Sequence, residues 1–281
     1  MSPEGGMGME KILDTLRAVV AERGKGLPDE DFVLRSMWGV DYRSRPTAYE
    51  RFMVYSFVMA QTVRQGCCYT DFGTIGLGED HDALIGRDAR EVRGGTVAED
   101  IAILDAAFGV LPREPYRTLT IDGTPERKAL ARAEVVVGEA IEQLRRTGGR
   151  RVAQVGVMGN LIHFLQKEDV SLTASDFDPE LIERGVLGVP VVSGHESARL
   201  VAESDVALVC GETLASETLE ELVLTARQHR TKLVIFAVSG CHFAQEYCRT
   251  IGVDAVIAEP QPQYLFQGPS TLEIHRKTAL A

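Results

Sequence analysis

One segment of this chain, from Arg151 to Pro179 (RVAQVGVMGNLIHFLQKEDVSLTASDFDP), constrains its fold more strongly than any other. It starts with a β-branched apolar run that ends at Gly156, passes through a turn that also contains Gly159, and resumes as an apolar run that ends at Asp176. This order predicts a strand, a glycine turn, a helix and a second strand, which together form a βαβ unit of a parallel sheet. Ligands of open parallel sheets bind at the carboxyl ends of the strands, so the segment also predicts a ligand site beside its turn.

The chain after this segment continues the same alternation of strands and helices. The predicted strands are 151–156, 170–175, 189–192, 205–210, 232–237 and 254–257, and the predicted helices are 160–167, 179–185, 195–203, 216–229 and 241–251. Alternation of this kind implies right-handed crossovers and a parallel sheet. We therefore predict an α/β protein in which a Rossmann-like parallel-sheet domain, residues 148–281, is preceded by a smaller α+β domain, residues 1–147.

The first half of the chain carries two clear helix signals. Thr96 and Glu99 form a capping-box pattern in front of an apolar segment, which predicts a helix over 96–108. Pro125 near the start and Gly148-Gly149 at the end delimit a long helix over 124–147. A strand and turn are predicted over 66–78, a short helix over 88–92 and a loop over 109–123.

Composition and charge restrict the partners of the chain. Its 281 residues suit two domains, and its net charge of −11 argues against nucleic acid, whose phosphates would be repelled. No apolar run approaches the ~20 residues that cross a bilayer, and the acidic N-terminal segment lacks an apolar signal core. We therefore expect a cytoplasmic protein that acts on a small-molecule substrate without a membrane partner, with a homodimer as one option for its assembly.

Three strand ends supply the predicted ligand-binding residues. These are Gly156, Met158, Gly159 and Asn160 in the glycine turn, Asp176 and Phe177 after the second strand, and Glu212 and Thr213 after a later strand. An acid about 20 residues after a glycine turn is where a ribose hydroxyl is held, which assigns that role to Asp176. The alternative is that the glycines serve tight packing alone and that the polar side chains cap helices.

The glycine turn also narrows the class of ligand. Its sequence is Gly-Val-Met-Gly-Asn, whereas a dinucleotide site normally has G-x-G-x-x-G. The missing third glycine disfavours a dinucleotide, so a nicotinamide-dependent oxidoreductase ranks last among the functions considered.

The smaller domain is expected to supply the group that reacts with the ligand or activates it. Tyr69 and Asp71 lie in a glycine-rich segment, and Glu79 and His81 belong to a dense ionisable cluster at residues 79–82. Because histidine and carboxylate side chains act as general bases or as metal ligands, these four residues are the catalytic candidates. The alternative for the cluster is a solvated loop.

Cys241 and His242 are candidate metal ligands, since they follow a predicted strand and their donor atoms suit Zn²⁺ or another transition metal. Adjacent side chains diverge on a helix, so a closed structural zinc site is not expected from this pair. The alternative is a buried free cysteine, which is a common environment for a thiol.

Several of these stretches resemble a known family. VGVMGN at 155–160, DFDPEL at 176–181, SDVALVCGETLASETLEELV at 204–223 and GVDAVIAEP at 252–260 resemble the Rossmann-like domain of the heavy-metal chelation family. ALIGRDAREVRGGTVAEDIAILDAAFGVL at 83–111 is similar to the smaller domain that precedes it in that family, whose fold is similar to the N-terminal domain of enolase. The resemblance implies a two-domain fold and, as one alternative, a non-catalytic metal-handling protein.

A second similarity concerns the ligand. VGVMGN followed by SDFDPE is similar to the first two motifs of class I methyltransferase-like proteins, including nicotianamine synthase-type enzymes. In those proteins the acid that closes the second strand holds the ribose of S-adenosylmethionine, and the matching residue here is Asp176. The resemblance implies an enzyme that binds S-adenosylmethionine or a related nucleoside and acts on an amino-acid-like substrate by group transfer or cyclisation, in metallophore or natural-product biosynthesis.

Overall fold

A computed structural model describes residues 12–70, 81–260 and 268–277, which form two β-sheets with helices packed on them. The strands are β1 Ser36–Ser44, β2 Met53–Gln61, β3 Gln65–Thr70, β4 Arg117–Ile121, β5 Arg151–Val155, β6 Ser171–Asp176, β7 Val191–Ser193, β8 Val206–Cys210, β9 Lys232–Ala237, β10 Ala255–Ala258 and β11 Ser270–Arg276. The α-helices used below are α1 Ile12–Arg23, α2 Val97–Val110, α3 Pro125–Thr147, α4 Gly159–Leu165, α5 Pro179–Arg184, α6 Ser197–Glu203, α7 Glu212–Ala215 and α8 Leu219–His229.

The larger sheet has the strand order β4-β11-β10-β9-β8-β5-β6-β7 among the described residues. Strands β5 to β10 are parallel to one another, whereas β11 is antiparallel to β10 and β4 is antiparallel to β11. The chain runs from β5 outwards to β7 and then returns to β8 on the other side of β5. The order of the strands therefore reverses between β5 and β8, and such a reversal opens a crevice at the carboxyl ends of the strands. The predicted α/β class with a parallel sheet is confirmed.

Both faces of this sheet are buried because successive side chains on each strand alternate between two cores. On β5, Val152 belongs to the core under α3 and α4, whereas Ala153 belongs to the core that includes α6 and α8. Leu208 and Val209 on β8 repeat this alternation. Strands buried on both faces are near-continuous apolar runs, which is why the sequence predicts these strands well.

The smaller sheet is the antiparallel meander β1-β2-β3, and α2 packs on one of its faces. The predicted capping box starts this helix: Thr96 accepts a hydrogen bond from the backbone N–H of Glu99, and the Glu99 carboxylate accepts one from Thr96. The opposite face of the sheet is aromatic, and the ring of Phe57 there contacts the rings of Tyr42 and Tyr55. This aromatic face closes over the strand ends of the larger sheet.

Two local predictions in the first half of the chain are wrong. Residues 109–123, predicted as a loop, contain β4, because pairing with β11 supplies hydrogen-bond partners that no local pattern reveals. Residues 88–92, predicted as a helix, form a turn in which Asp88 makes an isolated bridge with Val33.

The domain boundary predicted at 147/148 stays a prediction. Strand β4 and helix α3 precede that position, yet both pack with the larger sheet. None of the helices in the described ranges combines the length and the apolar character needed to cross a bilayer.

Candidate ligand-binding cleft

A cavity of 680 Å³ lies at the carboxyl ends of β5, β6 and β8, where the strand order reverses. We call it the strand-end cleft. The strand ends of the larger sheet contribute Val155, Gly156, Val157, Met158, Ser175, Asp176, Phe177, Asp178, Cys210, Glu212 and Thr213. The smaller sheet with its adjoining segments and α2, which we call the smaller unit, contributes Arg51, Tyr55, Tyr69, Thr70, Thr96, Val97 and Ala98. Seven of the predicted site residues are therefore brought to one cavity: Tyr69, Gly156, Met158, Asp176, Phe177, Glu212 and Thr213.

Asp176 is held at the rim of the cleft by the backbone around it. Its Oδ2 accepts a hydrogen bond of 2.7 Å from the N–H of Val157, in the glycine turn of the neighbouring strand. Its Oδ1 accepts one of 2.9 Å from the N–H of Asp178. A carboxylate oxygen can accept more than one hydrogen bond, so Asp176 can hold the turn in place and still bind a ligand. Asp178, in contrast, caps α5 by accepting the N–H of Glu180.

The neighbouring side chains give the cleft both apolar and polar surface. Phe177 is 48% exposed, and its ring meets the edge of His195 with the centroids 5.1 Å apart. The hydroxyl of Thr213 donates to the backbone oxygen of Cys210 at 2.8 Å, which fixes the turn that carries Glu212. The exposed ring offers a flat apolar surface on which a base or another ring can stack.

The two glycines of the turn have different structural roles. Gly156 has a φ of +78°, a conformation that other residues rarely adopt, and a Cβ there would lie 2.7 Å from the Cβ of Cys210. At Gly159 a Cβ would lie 2.0 Å from the backbone oxygen of Tyr49, which belongs to the smaller unit. Gly156 thus shapes the floor of the cleft, whereas Gly159 allows close contact between the two units.

Glu50 occupies the N-terminus of α4. Its two carboxylate oxygens accept hydrogen bonds from the N–H groups of Gly159 at 3.1 Å and Asn160 at 2.9 Å. Asn160 also accepts a hydrogen bond from the hydroxyl of Thr47 through its side-chain oxygen, at 2.6 Å. These N–H groups are the ones that would face a ligand phosphate, so an internal carboxylate takes the place of that anion. The assignment of Gly159 and Asn160 as ligand-binding residues stays a prediction.

The cleft and its surroundings carry more negative than positive charge. Arg51 forms an ion pair with Asp178, and the carboxylates of Asp176 and Glu212 also line the cleft. Burial, with the nearby charge of Glu212, raises the pKa of Tyr55 well above its ordinary value. The same two causes raise the pKa of Cys210, so both groups are neutral near pH 7.

The catalytic candidates from the smaller domain fall in different places. Tyr69 lines the cleft, and its backbone N–H donates to the hydroxyl of Ser239 at 2.8 Å. His81 lies in a short 3₁₀-helix with its Nε2 3.4 Å from a carboxylate oxygen of Asp82, and it is not among the described residues that line the cleft. Asp71 and Glu79 lie outside the described residues.

A second cluster contains Asp105, Cys241 and His242, whose ligand-type atoms all lie within 4.8 Å of one another. We call it the Asp105 cluster. The Asp105 carboxylate accepts hydrogen bonds from the backbone N–H groups of His242 at 2.8 Å and Cys67 at 3.0 Å. Burial and the charge of Asp105 raise the pKa of the Cys241 thiol well above its ordinary value. The cluster borders a separate cavity of 710 Å³, so a bound ion there would be open on one side.

The expectation that Cys241 and His242 diverge rested on a helix beginning at residue 241. The structure has a 3₁₀ turn, Cys241–Phe243, after Gly240 in the left-handed conformation, and only then an α-helical turn and a π-helical turn, Tyr247–Ile251. This tighter turn lets both side chains reach Asp105 on α2.

The fold and the cleft define an α/β protein with a cavity between a parallel sheet and a smaller antiparallel sheet. Residues 139–255 match the family model DUF364, described as "Putative heavy-metal chelation". The fold is similar to that of a DUF364-family protein of unknown function from Desulfitobacterium hafniense DCB-2, at 14% identity over 92% of this chain and 98% of that chain, with a TM-score of 0.55. It is also similar to a DUF364-family protein of unknown function from Pyrococcus horikoshii, at 12% identity over 94% of this chain and 99% of that chain, with a TM-score of 0.52.

These two similarities show the fold. A comparison with curated proteins gave no match. The Asp105 cluster and the family match are compatible with a transition metal. The similarities to the enolase N-terminal domain and to class I methyltransferase-like proteins stay predictions.

Sequence reasoning missed several residues of these sites. Glu50, Arg51 and Tyr55 lie in or beside β2, and no motif marks them. Only the closure of the smaller sheet over the larger one brings Arg51 and Tyr55 to the cleft and Glu50 to the N-terminus of α4. Asp105 had a usable signal: it is a lone acid inside the apolar run of α2, and a buried charge of that kind needs partners.

Proposed function

We propose that the chain binds S-adenosylmethionine or a related cationic nucleoside in the strand-end cleft and presents it to a second small molecule. The observation that carries this proposal is the position of Asp176. Its carboxylate is fixed at the end of the strand next to the glycine turn, at the reversal of the strand order. In open parallel sheets this is where a ribose is held.

The remaining chemistry of the cleft supports a cation more than an anion. Asp176 and Glu212 are carboxylates on its wall, while Arg51 is engaged by Asp178. Val155, Val157 and Met158 supply apolar surface for a base. A sulfonium or ammonium group beside two carboxylates gains Coulombic stabilisation that a phosphate would lose. Alignment and exclusion of water would then be the main contribution of the protein to group transfer.

The position of Glu50 argues against the nicotinamide-dependent alternative. A dinucleotide places its pyrophosphate at the N-terminus of the first crossover helix. In this chain Gly159 and Asn160 already donate those N–H groups to the Glu50 carboxylate.

Replacing Asp176 by Asn tests the proposal. We expect Asp176→Asn to weaken binding of S-adenosylmethionine and of its demethylated product about 10- to 100-fold, because a charged acceptor for ribose hydroxyls is lost. Isothermal titration calorimetry on the full chain measures the effect, and circular dichroism verifies that the variant is folded. The matched control is Asp169→Asn, which changes a carboxylate that is 87% exposed and precedes the amino end of β6, the end opposite to Asp176.

Absence of binding by S-adenosylmethionine, its product and adenosine at millimolar concentration would contradict the proposal. Unchanged affinity in Asp176→Asn would contradict the role of that residue. A larger thermal shift with NAD than with the nucleosides would favour the oxidoreductase, since the ligand that binds the native state raises its apparent stability.

A second candidate function is transition-metal binding by the Asp105 cluster. One carboxylate, one thiol and one imidazole form a donor set that suits Zn²⁺ or Co²⁺, with a further position open to the neighbouring cavity. Ligand atoms around a tetrahedral Zn²⁺ are roughly 3.3–3.8 Å apart, so the cluster would contract on binding. This candidate agrees with the family description.

Titration of metal-free protein with Co²⁺ tests this candidate. We expect one ion per chain, a sulfur-to-cobalt charge-transfer band, and release of the Cys241 proton, since only a thiolate binds the ion. Cys241→Ser should abolish the band, whereas Cys248→Ser, which alters a buried thiol outside the cluster, should retain it. A titration that shows no band, or an equal band in both variants, would refute metal binding at this cluster.

A further inference from the structure

A second cavity of 150 Å³ lies directly behind the strand-end cleft, between the aromatic face of the smaller sheet and the start of α3. We call it the inner cavity. Four residues line both cavities: Tyr55, Met158, Cys210 and Glu212. A molecule in the inner cavity would therefore be separated from a ligand in the cleft by a single layer of side chains.

The walls of the inner cavity are mainly apolar and aromatic. Tyr42 and Phe57 contribute from the smaller sheet, and Leu161 and Phe236 contribute from the larger unit. A cavity of about 150 Å³ with walls of this kind accommodates a benzene ring. The size and the lining therefore fit the apolar body of a small molecule, of about the size of one six-membered ring.

The described residues that line the inner cavity include more carboxylates than cations. Arg132 forms a two-point ion pair with Glu259, one contact of which joins Nη2 to Oε1 at 2.7 Å. Glu50 and Glu212 are two further carboxylates on the wall. By formal charge, these lining side chains therefore comprise three carboxylates and one guanidinium.

Glu50 is the more deeply buried of the two further carboxylates, at 8% exposure. Within the described residues no Lys, Arg or His nitrogen lies within 4 Å of its oxygens. Burial raises its pKa above the ordinary value, and the two backbone hydrogen bonds and the more distant charge of Arg51 oppose that shift only in part. A buried carboxylate that accepts only backbone N–H groups would be stabilised in its ionised form by a ligand cation. The arrangement is complementary to an ammonium group attached to an apolar body.

We infer that the inner cavity binds a small primary amine with an apolar body, and that its ammonium group lies toward Glu50 and Glu212. This inference rests on the proposed function in one respect: it makes the amine the second substrate, bound beside the nucleoside. The amine would lie behind the ligand in the cleft, with Glu212 in contact with both sites.

Benzylamine is a suitable probe, because it joins one aromatic ring to an ammonium group. We expect calorimetry on the full chain at pH 7.5 to show benzylamine binding at least about 10-fold more tightly than benzyl alcohol or benzoate, which keep the ring but not the cation. Equal affinity for benzylamine and benzyl alcohol would overturn the inference.

Variants locate the site. Glu212→Gln and Glu50→Gln should each weaken benzylamine binding about 10-fold, whereas Glu183→Gln, the same change on an exposed helical surface, should not. Ala129→Leu adds three carbons to the cavity wall and should block benzylamine while leaving nucleoside binding in the cleft intact. Should Glu50→Gln fail to fold, Glu212→Gln and Ala129→Leu still decide the question.

The two proposals fail separately. Benzylamine binding that Ala129→Leu abolishes, in a protein that binds no nucleoside, would support the inner cavity and refute the nucleoside. Nucleoside binding without benzylamine binding, in the presence and absence of S-adenosylmethionine, would refute the amine site alone. Benzylamine binding that Ala129→Leu and Glu212→Gln both leave unchanged would place the amine elsewhere and overturn the inference.

Discussion

Asp105→Ala is expected to lower the free energy of unfolding by about 3–5 kcal/mol, because two buried N–H groups would lose their acceptor at once. Asp105 is fully buried on α2, and its carboxylate joins that helix to Cys67 on β3 and to His242 after β9. Each unsatisfied buried donor costs about 1–3 kcal/mol, and the emptied space adds to that cost. Urea denaturation monitored by circular dichroism, in the presence of a chelator, measures the loss without a metal contribution.

Two variants accompany this measurement. Asp105→Asn keeps one acceptor oxygen and should fall between the wild type and Asp105→Ala. Asp169→Ala removes an exposed carboxylate that pairs with Arg150 and should cost less than about 1 kcal/mol. A loss of under about 1 kcal/mol for Asp105→Ala would show that the carboxylate does not anchor these elements.

Gly159→Ala is expected to separate the smaller unit from the start of α4. The new Cβ would lie 2.0 Å from the backbone oxygen of Tyr49, so the segment that carries Glu50 must move. Overpacking of this kind costs about 1–3 kcal/mol, and displacement of the Glu50 carboxylate leaves two helix N–H groups without their acceptor. We expect a total loss of roughly 3 kcal/mol, together with weaker benzylamine binding.

Gly138→Ala is the matched control for this change. Gly138 lies within α3, and a Cβ there meets nothing within 4 Å. Because alanine is the better helix former, this variant should gain up to about 1 kcal/mol. If Gly159→Ala were as stable as Gly138→Ala, the segment at Tyr49 would move without a loss in the free energy of unfolding, and this prediction would be wrong.

The second half of the fold was predictable because its strands are buried on both faces. Strands β5, β8, β9 and β10 are short, mainly apolar and buried runs, and all six predicted strands overlap an observed one. The helix at Val97–Val110 was predictable for another reason, since Thr96 and Glu99 encode its start in their own side chains. Strand β4 was not predictable, because an edge strand with exposed residues becomes a strand only by pairing with β11.

The site divides in a similar way. The sequence by itself determined which residues lie at the carboxyl ends of the parallel strands: Gly156, Asp176 and Glu212 follow apolar runs, and parallel strands bring such ends to one edge. Their position follows from the local sequence pattern of each strand and from the rule that parallel strands end at the same edge of a sheet.

Only the tertiary structure decided what faces those residues. The closure of the smaller sheet brought Tyr55 to the cleft, placed Glu50 at the N-terminus of α4 and formed the inner cavity. It also brought Asp105 to Cys241 and His242, which are more than 130 residues away in sequence. Contacts of this kind depend on how two buried surfaces fit together, and the order of residues along either segment does not encode that fit.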